Sequence, residues 1–298
     1  MGEILGAGII AHVPTIVLAQ PVRYDLNNGC EISLVPGLRR LRTEVLDVLQ
    51  PDTIVVLDSH WATTVEFVVA SHQRRHGFYT SEELPRGMSS MPYDFPGDPE
   101  LAAALAAQAV GRDDMWISAI DNSHLPIHYP TVNLLQFLQG SERWVSIGCC
   151  QTAEPADSLL LGELLGQAIA TLDRRVVILA SGAFSHTFWP LRQLRQHEAS
   201  DPVHIFSDRA RVADETVLQA FWRGDHAAVI EDMPSYLVVK PEARFGHYLM
   251  MIGALGGRDC IAPGVAYSDY ENSIGTAQMH VWFPRPGTGW TSSGEVGG

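Results

Sequence analysis

Three of the twelve histidines in this chain stand where apolar, strand-like runs end. Ile4–Ile10 leads to His12, Thr53–Asp58 (TIVVLD) leads to His60, and Val176–Ala180 (VVILA) leads through SGAFS to His186. In open α/β sheets ligands bind beyond the carboxyl ends of the strands, so three imidazoles at such ends point to one shared site. Two imidazoles and one carboxylate facing a common point form the triad that holds non-haem Fe(II) and leaves positions open for a substrate and O2. The same donor set is also a catalytic zinc set. Position alone does not select the carboxylate. Glu242, in KPEARFGHY, lies at the mouth of a predicted helix, where the N-terminal setting favours the ionised form. Spacing does not separate it from Glu66, Glu154 or Glu163.

The elements that must position these residues are legible. The runs ending at the three histidines, together with Trp144–Cys150, are continuously apolar, as strands buried on both faces are. Apolar residues at 38, 41, 45, 48 and 49 predict a helix over Leu38–Leu49. Asp98-Pro99-Glu100 is a helix start, with Asp as cap and Pro in the first turn, opening an Ala/Leu-rich helix to Val110. Leu159–Leu172, Pro202–Arg223 and Phe245–Leu255 are further helices, the last stopped by Gly256-Gly257. This alternation predicts an α/β fold: a single domain with a central, mainly parallel or mixed sheet flanked by helices. The stretches from Gly77 to Gly97 and from Gly264 onward are rich in Pro, Gly, Ser and Tyr, and read as loops or β-excursions covering a site. The expected boundaries are a catalytic domain over 1–286 and a flexible tail over 287–298.

Composition removes several function classes. The 298 residues are 46% hydrophobic and 18% charged, which suits a globular chain with a sizeable core. A net charge of −14 repels phosphate backbones, so neither nucleic acid nor an anionic membrane is an expected partner. No apolar run approaches the ~18 residues of a membrane span, and the N-terminal stretch lacks a basic leader. Cys30, Cys149, Cys150 and Cys260 fit neither a zinc knuckle nor a disulfide framework and read as reduced thiols. A cytoplasmic location is the expectation. Of the other histidines, His72 and His76 are expected in a solvated turn, His197, His204 and His226 in or near charged helices, and His280 in a strand-like MHVWF.

Taken together, AHVPTI with His12, PDTIVVLDSHW with His60, YTSEELP at 79–85, MPYDFPGDPELA at 91–102, LASGAFSH with His186 and the stretch carrying Glu242 before MMIGALG resemble the class III, LigB-type extradiol ring-cleavage dioxygenases. The likeness spans nearly the whole chain and is strongest to the homoprotocatechuate 2,3-dioxygenase and 2-aminophenol 1,6-dioxygenase branch. It implies a LigB-like fold with His12, His60 and Glu242 as metal ligands, and His186 as the acid/base histidine. It implies Fe(II) as cofactor, with Mn(II) accepted by the same ligands, and a small catechol- or aminophenol-type ring plus O2 as substrates. Ring opening inserts both oxygen atoms, as in aromatic catabolism. A homo-oligomer, dimer or tetramer, is implied as well. The segment HLPIHYPT at 124–131 falls where the family shows Asp-His-Gly-Thr or Asp-Tyr-Gly-Thr. Tyr129 then takes the pocket-lining position, while His128 and Pro130 replace the flanking Asp and Gly. Tyr129 and His128 are expected to donate hydrogen bonds to substrate or oxygen. The competing readings are a zinc-dependent hydrolase and a non-catalytic scaffold on the same fold; the chain has no HExxH, and it keeps all four of His12, His60, Glu242 and His186. A carboxylate-bearing substrate would call for a cation, for which Arg86, Lys240 and Arg244 are the candidates.

Overall fold

The apolar runs become strands that bury both faces. In a computed structural model, which describes residues 1–291, the strands are β1 (Glu3–Ile10), β2 (Thr53–Thr63), β3 (Phe67–Ala70), β4 (Arg74–Tyr79), β5 (Met91–Pro96), β6 (Ile117–Ile120), β7 (Arg143–Cys150), β8 (Arg175–Ser181), β9 (Val265–Ala266), β10 (Glu271–Ser273), β11 (Thr276–Gln278) and β12 (Val281–Pro284). The α-helices are α1 (Gln20–Leu26), α2 (Leu34–Arg40), α3 (Asp47–Leu49), α4 (Pro99–Ala107), α5 (Tyr129–Leu138), α6 (Pro155–Thr171), α7 (Asp208–Arg223), α8 (His226–Glu231), α9 (Met233–Tyr236) and α10 (Gly246–Ala254). Eight strands form one mixed sheet in the order β6-β3-β7-β2-β8-β1-β12-β9. Its centre, β7-β2-β8-β1, is parallel, and β12 closes antiparallel on β1.

Strand alternation divides the side chains between two cores. Val55 and Leu57 of β2, with Ile178 and Ala180 of β8, pack on Leu161 and Leu165 of α6 and Leu249 and Ile252 of α10. Their neighbours Ile54, Val56, Val177 and Leu179 pack on the opposite side against Leu38, Leu134 and Leu138. The result is a single α/β domain, a mixed sheet between two helical layers. Helices α6 and α10 approach at Gly162 and Gly253, where a Cβ would come within 2.1 Å of Met250 O and 2.2 Å of Leu159 O. The carboxyl ends of β1, β2 and β8 lie side by side, which places the three expected histidines on one rim.

Several boundaries differ from expectation, each for a local reason. The helix expected over 38–49 runs from Leu34 to Leu49, and its middle, Leu41–Leu46, takes wider π geometry. Arg42 and Asp47, five residues apart, pair there at 2.6 Å. The helix expected from Pro202 is broken at 205–207, and α7 starts after Ser207, whose hydroxyl accepts from Ala210 N at 3.2 Å. Asp98 caps α4 as expected, accepting from Leu101 N at 3.2 Å. The stretch at 77–97 is largely the β4–β5 hairpin, whose connecting residues 80–90 reach over the site. His72 is buried and bonded to Asn122 O at 2.8 Å, so it is not in a solvated turn, whereas His226 opens α8 as expected and is fully buried there. At the expected tail, Trp290 Nε1 donates to Ile4 O at 3.3 Å and Thr291 bridges to Cys260, which ties 290–291 to the body. Residues 292–298 of that tail lie outside the described residues.

Candidate metal centre

His12 follows β1 directly and is held from several sides. Ala11 N donates to His280 Nδ1 at 3.1 Å, and Asn133 Nδ2 donates to His12 O at 2.7 Å. His12 Nδ1 meets Ser181 Oγ, at the end of β8, at 3.0 Å, which leaves Nε2 facing Glu242 Oε1 at 3.5 Å.

His60 lies inside β2, which continues past Asp58 to Thr63 with an irregularity between Asp58 and Ala62. Asp58 shapes it: its Oδ1 accepts from His60 N at 3.1 Å and from Trp61 N at 3.0 Å, and its Oδ2 accepts from Thr131 Oγ1 at 2.8 Å. Bulges of this kind re-aim a side chain beside an active site. His60 Nε2 thereby lies 2.9 Å from Glu242 Oε1, with Nδ1 3.3 Å from Glu83 Oε1.

Glu242 is positioned by strain rather than at the mouth of a right-handed helix. Its N–H donates to Phe184 O at 3.1 Å. The next three residues, Ala243, Arg244 and Phe245, have φ of 45°, 56° and 61°, and α10 begins only at Gly246. Consecutive left-handed non-glycine residues cost roughly 1–2 kcal/mol each, and such strain collects at functional sites. Ionisation is favoured by other means. Ser59 Oγ donates to Oε1 at 2.6 Å and Ala183 N to Oε2 at 2.5 Å. Burial alone would raise the pKa of Glu242, but the imidazoles of His12, His186 and His60 outweigh it and hold the carboxyl well below its usual range.

The donor set fits a divalent cation. One ligand atom from each of His12, His60 and Glu242 lies within 4.8 Å of the other two. Both imidazoles turn Nε2 to the shared carboxylate and give Nδ1 to an outer partner, the arrangement that orients metal-bound histidines. Burial disfavours a charge on His60, yet Glu242 and Glu83 raise its pKa to about 10, so a proton there stands where a cation would. The other acids are occupied elsewhere: Glu66 with Ser118, Glu154 with the cap of α6 and with Arg244, and Glu163 with Gln167 on the outer face of α6.

A cavity of about 350 Å³ opens from these three side chains. His186 lines it, and its ring nitrogens make no hydrogen bond among the described residues. Burial lowers its pKa, and His60 and His12 add to that against Glu242, so it is neutral near pH 7. Tyr129 also lines the cavity, with its hydroxyl 2.7 Å from His60 Nε2 and 3.3 Å from Glu83 Oε2. Burial and the two carboxylates push the phenol well above its usual range, so it remains a proton donor. His128 differs from expectation. It precedes α5, stacks on Trp61 at 6.2 Å and does not line the cavity. The extended backbone before α5 turns residue 128 away while Tyr129 enters.

Sequence reasoning passed over Glu83, Asp214 and Glu198. Glu83 sits in YTSEELP, but an acid in a polar loop carries no spacing signal. Buried Asp214 accepts from Ser185 N (3.0 Å), Ser185 Oγ (2.6 Å), Tyr236 OH (2.7 Å) and Tyr270 OH (2.6 Å), pinning the residue before His186. Its donors are far apart in the chain. His247 is fully buried against Gly182, where a Cβ would come within 2.5 Å of its Nε2.

Residues 6–279 match the family model described as the catalytic LigB subunit of aromatic ring-opening dioxygenase. The chain is 28% identical over 261 residues to a 3,4-dihydroxyphenylacetate 2,3-dioxygenase of Escherichia coli, covering 86% of this chain and 91% of that one. A crystal structure of an uncharacterized protein from Escherichia coli K12 superposes with a TM-score of 0.62 at 18% identity, covering 94% and 99% of the two chains, and shares the fold.

Proposed function

The chain belongs to the LigB family of catalytic subunits of aromatic ring-opening dioxygenases, and from that premise we propose that it is a non-haem Fe(II)-dependent extradiol dioxygenase. Its substrates are O2 and a small ring with adjacent hydroxyl or amino groups. The observation that carries the reading is the convergence of His12 Nε2, His60 Nε2 and Glu242 Oε1 at one end of a substrate-sized cavity. His12, His60 and Glu242 would hold the iron. When bound, iron supplies a place where the aromatic diol and O2 meet and exchange electrons. Mn(II) suits the same donors.

The residues around that position have distinct tasks. Neutral His186 accepts a proton from a substrate hydroxyl and later returns it during ring opening, the exchange that an imidazole titrating near or below neutrality performs. Tyr129 keeps its proton and donates it from beside His60 to an oxygen of the bound reactants. Glu83 orders both His60 and Tyr129. Val13, Pro14, Leu18, Leu84 and Ile274 line the cavity with apolar surface and limit water around the reacting ring.

The test is anaerobic loading with Fe(II), then O2 uptake and absorbance against catechol, protocatechuate, 3,4-dihydroxyphenylacetate, 2-aminophenol and dihydroxypyridines. The expected result is one O2 consumed per ring with a yellow ring-opened product, absent in His12→Ala. Protein that binds zinc but not iron, or iron-loaded protein that consumes no O2 with any of these rings, overturns the reading.

A further inference from the structure

We propose that the cavity selects a catechol-type ring carrying a short alkylammonium substituent, and that Glu198 is the residue that reads the positive charge. This rests on the dioxygenase reading, because it assigns the ring's hydroxyl end to the metal end of the same cavity.

The argument begins with the charges that line the cavity. Among the described residues, its wall holds the acids Glu83, Glu198 and Glu242 and neither Lys nor Arg. Residues 292–298 contain no Lys or Arg either. The three cations that a carboxylate-bearing substrate would call for do not line it. Arg244 pairs with Glu154 at 3.2 Å, Lys240 lines a different pocket and Arg86 is exposed. Arg192 and Arg195 are exposed and also absent from the wall. Arg23 borders an adjoining pocket that Glu198 shares, but Glu31 already neutralises it, at 2.7 and 2.6 Å. A substrate carboxylate brought beside Glu198 would lose water and face an acid, with no Lys or Arg in the wall to pair with.

The three acids are not equivalent. Glu242 belongs to the metal triad, and Glu83 is engaged by His60 and Tyr129. Glu198 has no hydrogen bond or ion pair among the described residues, so its charge is available to a ligand. Its backbone is nonetheless held firmly. Asn272 Nδ2 donates to both His197 O and Ala199 O at 2.8 Å, bracketing Glu198, and Ser200 N donates to Asn27 Oδ1 at 2.8 Å. The ring of His197 stacks on Trp189 at 3.8 Å. The rest of the wall is mostly apolar, with Leu18, Leu26, Phe188 and Leu194 beside the uncharged Thr15, Ser273, Thr276 and Gln278, and suits the ring and the methylene carbons of the substituent. A mostly apolar sleeve with an unpaired carboxylate on a firmly held backbone is complementary to an arylalkyl ammonium ion.

Three 4-substituted catechols of similar size separate the possibilities: 4-(2-aminoethyl)catechol, 4-ethylcatechol and 3,4-dihydroxyphenylacetate. Calorimetric titration of each into Fe(II)-loaded protein without O2 reads binding alone, and O2 uptake reads turnover. We expect the ammonium compound to bind at least about tenfold more tightly than the carboxylate, with the ethyl compound between them. In Glu198→Gln the ammonium preference over ethyl should shrink toward one, while ethylcatechol binding changes less than about twofold. Tightest binding of the carboxylate or ethyl compound overturns the proposal, as does an equal loss for all three ligands in Glu198→Gln. If the binding order holds but no ring is opened, the dioxygenase reading fails and the charge selection stands. If rings are opened with the carboxylate preferred, the dioxygenase reading stands and the charge selection fails.

Discussion

Glu83 and Tyr129 meet the same imidazole and are expected to fail in different ways. Glu83 accepts from His60 Nδ1, so Glu83→Gln should loosen the ring's orientation and lower metal affinity roughly tenfold, the lower part of the range for partners behind a ligand. Competition against a chelator of known affinity measures this, and an unchanged affinity would show that Glu83 does not orient His60. Tyr129→Phe removes one hydroxyl from the rim of the metal position and leaves the three ligands in place. It should hold metal affinity within about twofold and reduce turnover about 10²-fold, the lower bound for loss of a positioned proton donor. A matching loss of metal binding would instead make the hydroxyl a structural support of His60. The two contacts with His60 cross 23 positions of sequence for Glu83 and 69 for Tyr129.

At the scale of elements, the site depends on how β8 and the turn before α10 end. Ser185, next to His186, is fixed by the buried carboxylate of Asp214, which four donors surround. Burial raises the pKa of Asp214 although those donors oppose it. Asp214→Asn would set an amide against hydroxyl donors and should destabilise by about 2–4 kcal/mol, a loss that urea unfolding would detect. An unchanged midpoint would remove Asp214 from the framework of the site. The strands and helices around these points were legible in sequence because burial on two faces leaves continuous apolar runs and because Asp98 and Gly256 are local start and stop signals, respectively. The residues with expected roles were legible mainly through motif likeness; strand-end position alone picked out His12, His60 and His186. The left-handed turn after Glu242 was not legible, since Ala243, Arg244 and Phe245 have no intrinsic preference for it and only tertiary packing imposes it. Nor was the outward path of His128, which depends on how the chain enters α5.

For the whole molecule, buried neutral imidazoles link stability to acidity. His280 is fully buried between Ala11 N and Leu34 O, and burial lowers its pKa to about 4, from 6.5 when exposed. Between those values the unfolded chain binds a proton that the native chain does not. Stability is therefore full above pH 6.5 and declines as the pH falls toward 4, by about 3 kcal/mol from this residue. His280→Gln should flatten the dependence of unfolding free energy on pH in that window by up to about 1.4 kcal/mol per pH unit. An unaltered slope would assign the linkage to other groups. The spacing of the ligands along the chain has a consequence in time. His12 and His60 are made early and Glu242 late, about 180 residues after His60, and at roughly 5–20 residues per second the ribosome needs about 10–40 s to cover that interval. Through that interval a nascent chain has two imidazoles but no carboxylate to close the triad. Closing the triad is thus a late event in the making of the chain, and a chain truncated before residue 242 lacks the carboxylate that completes it.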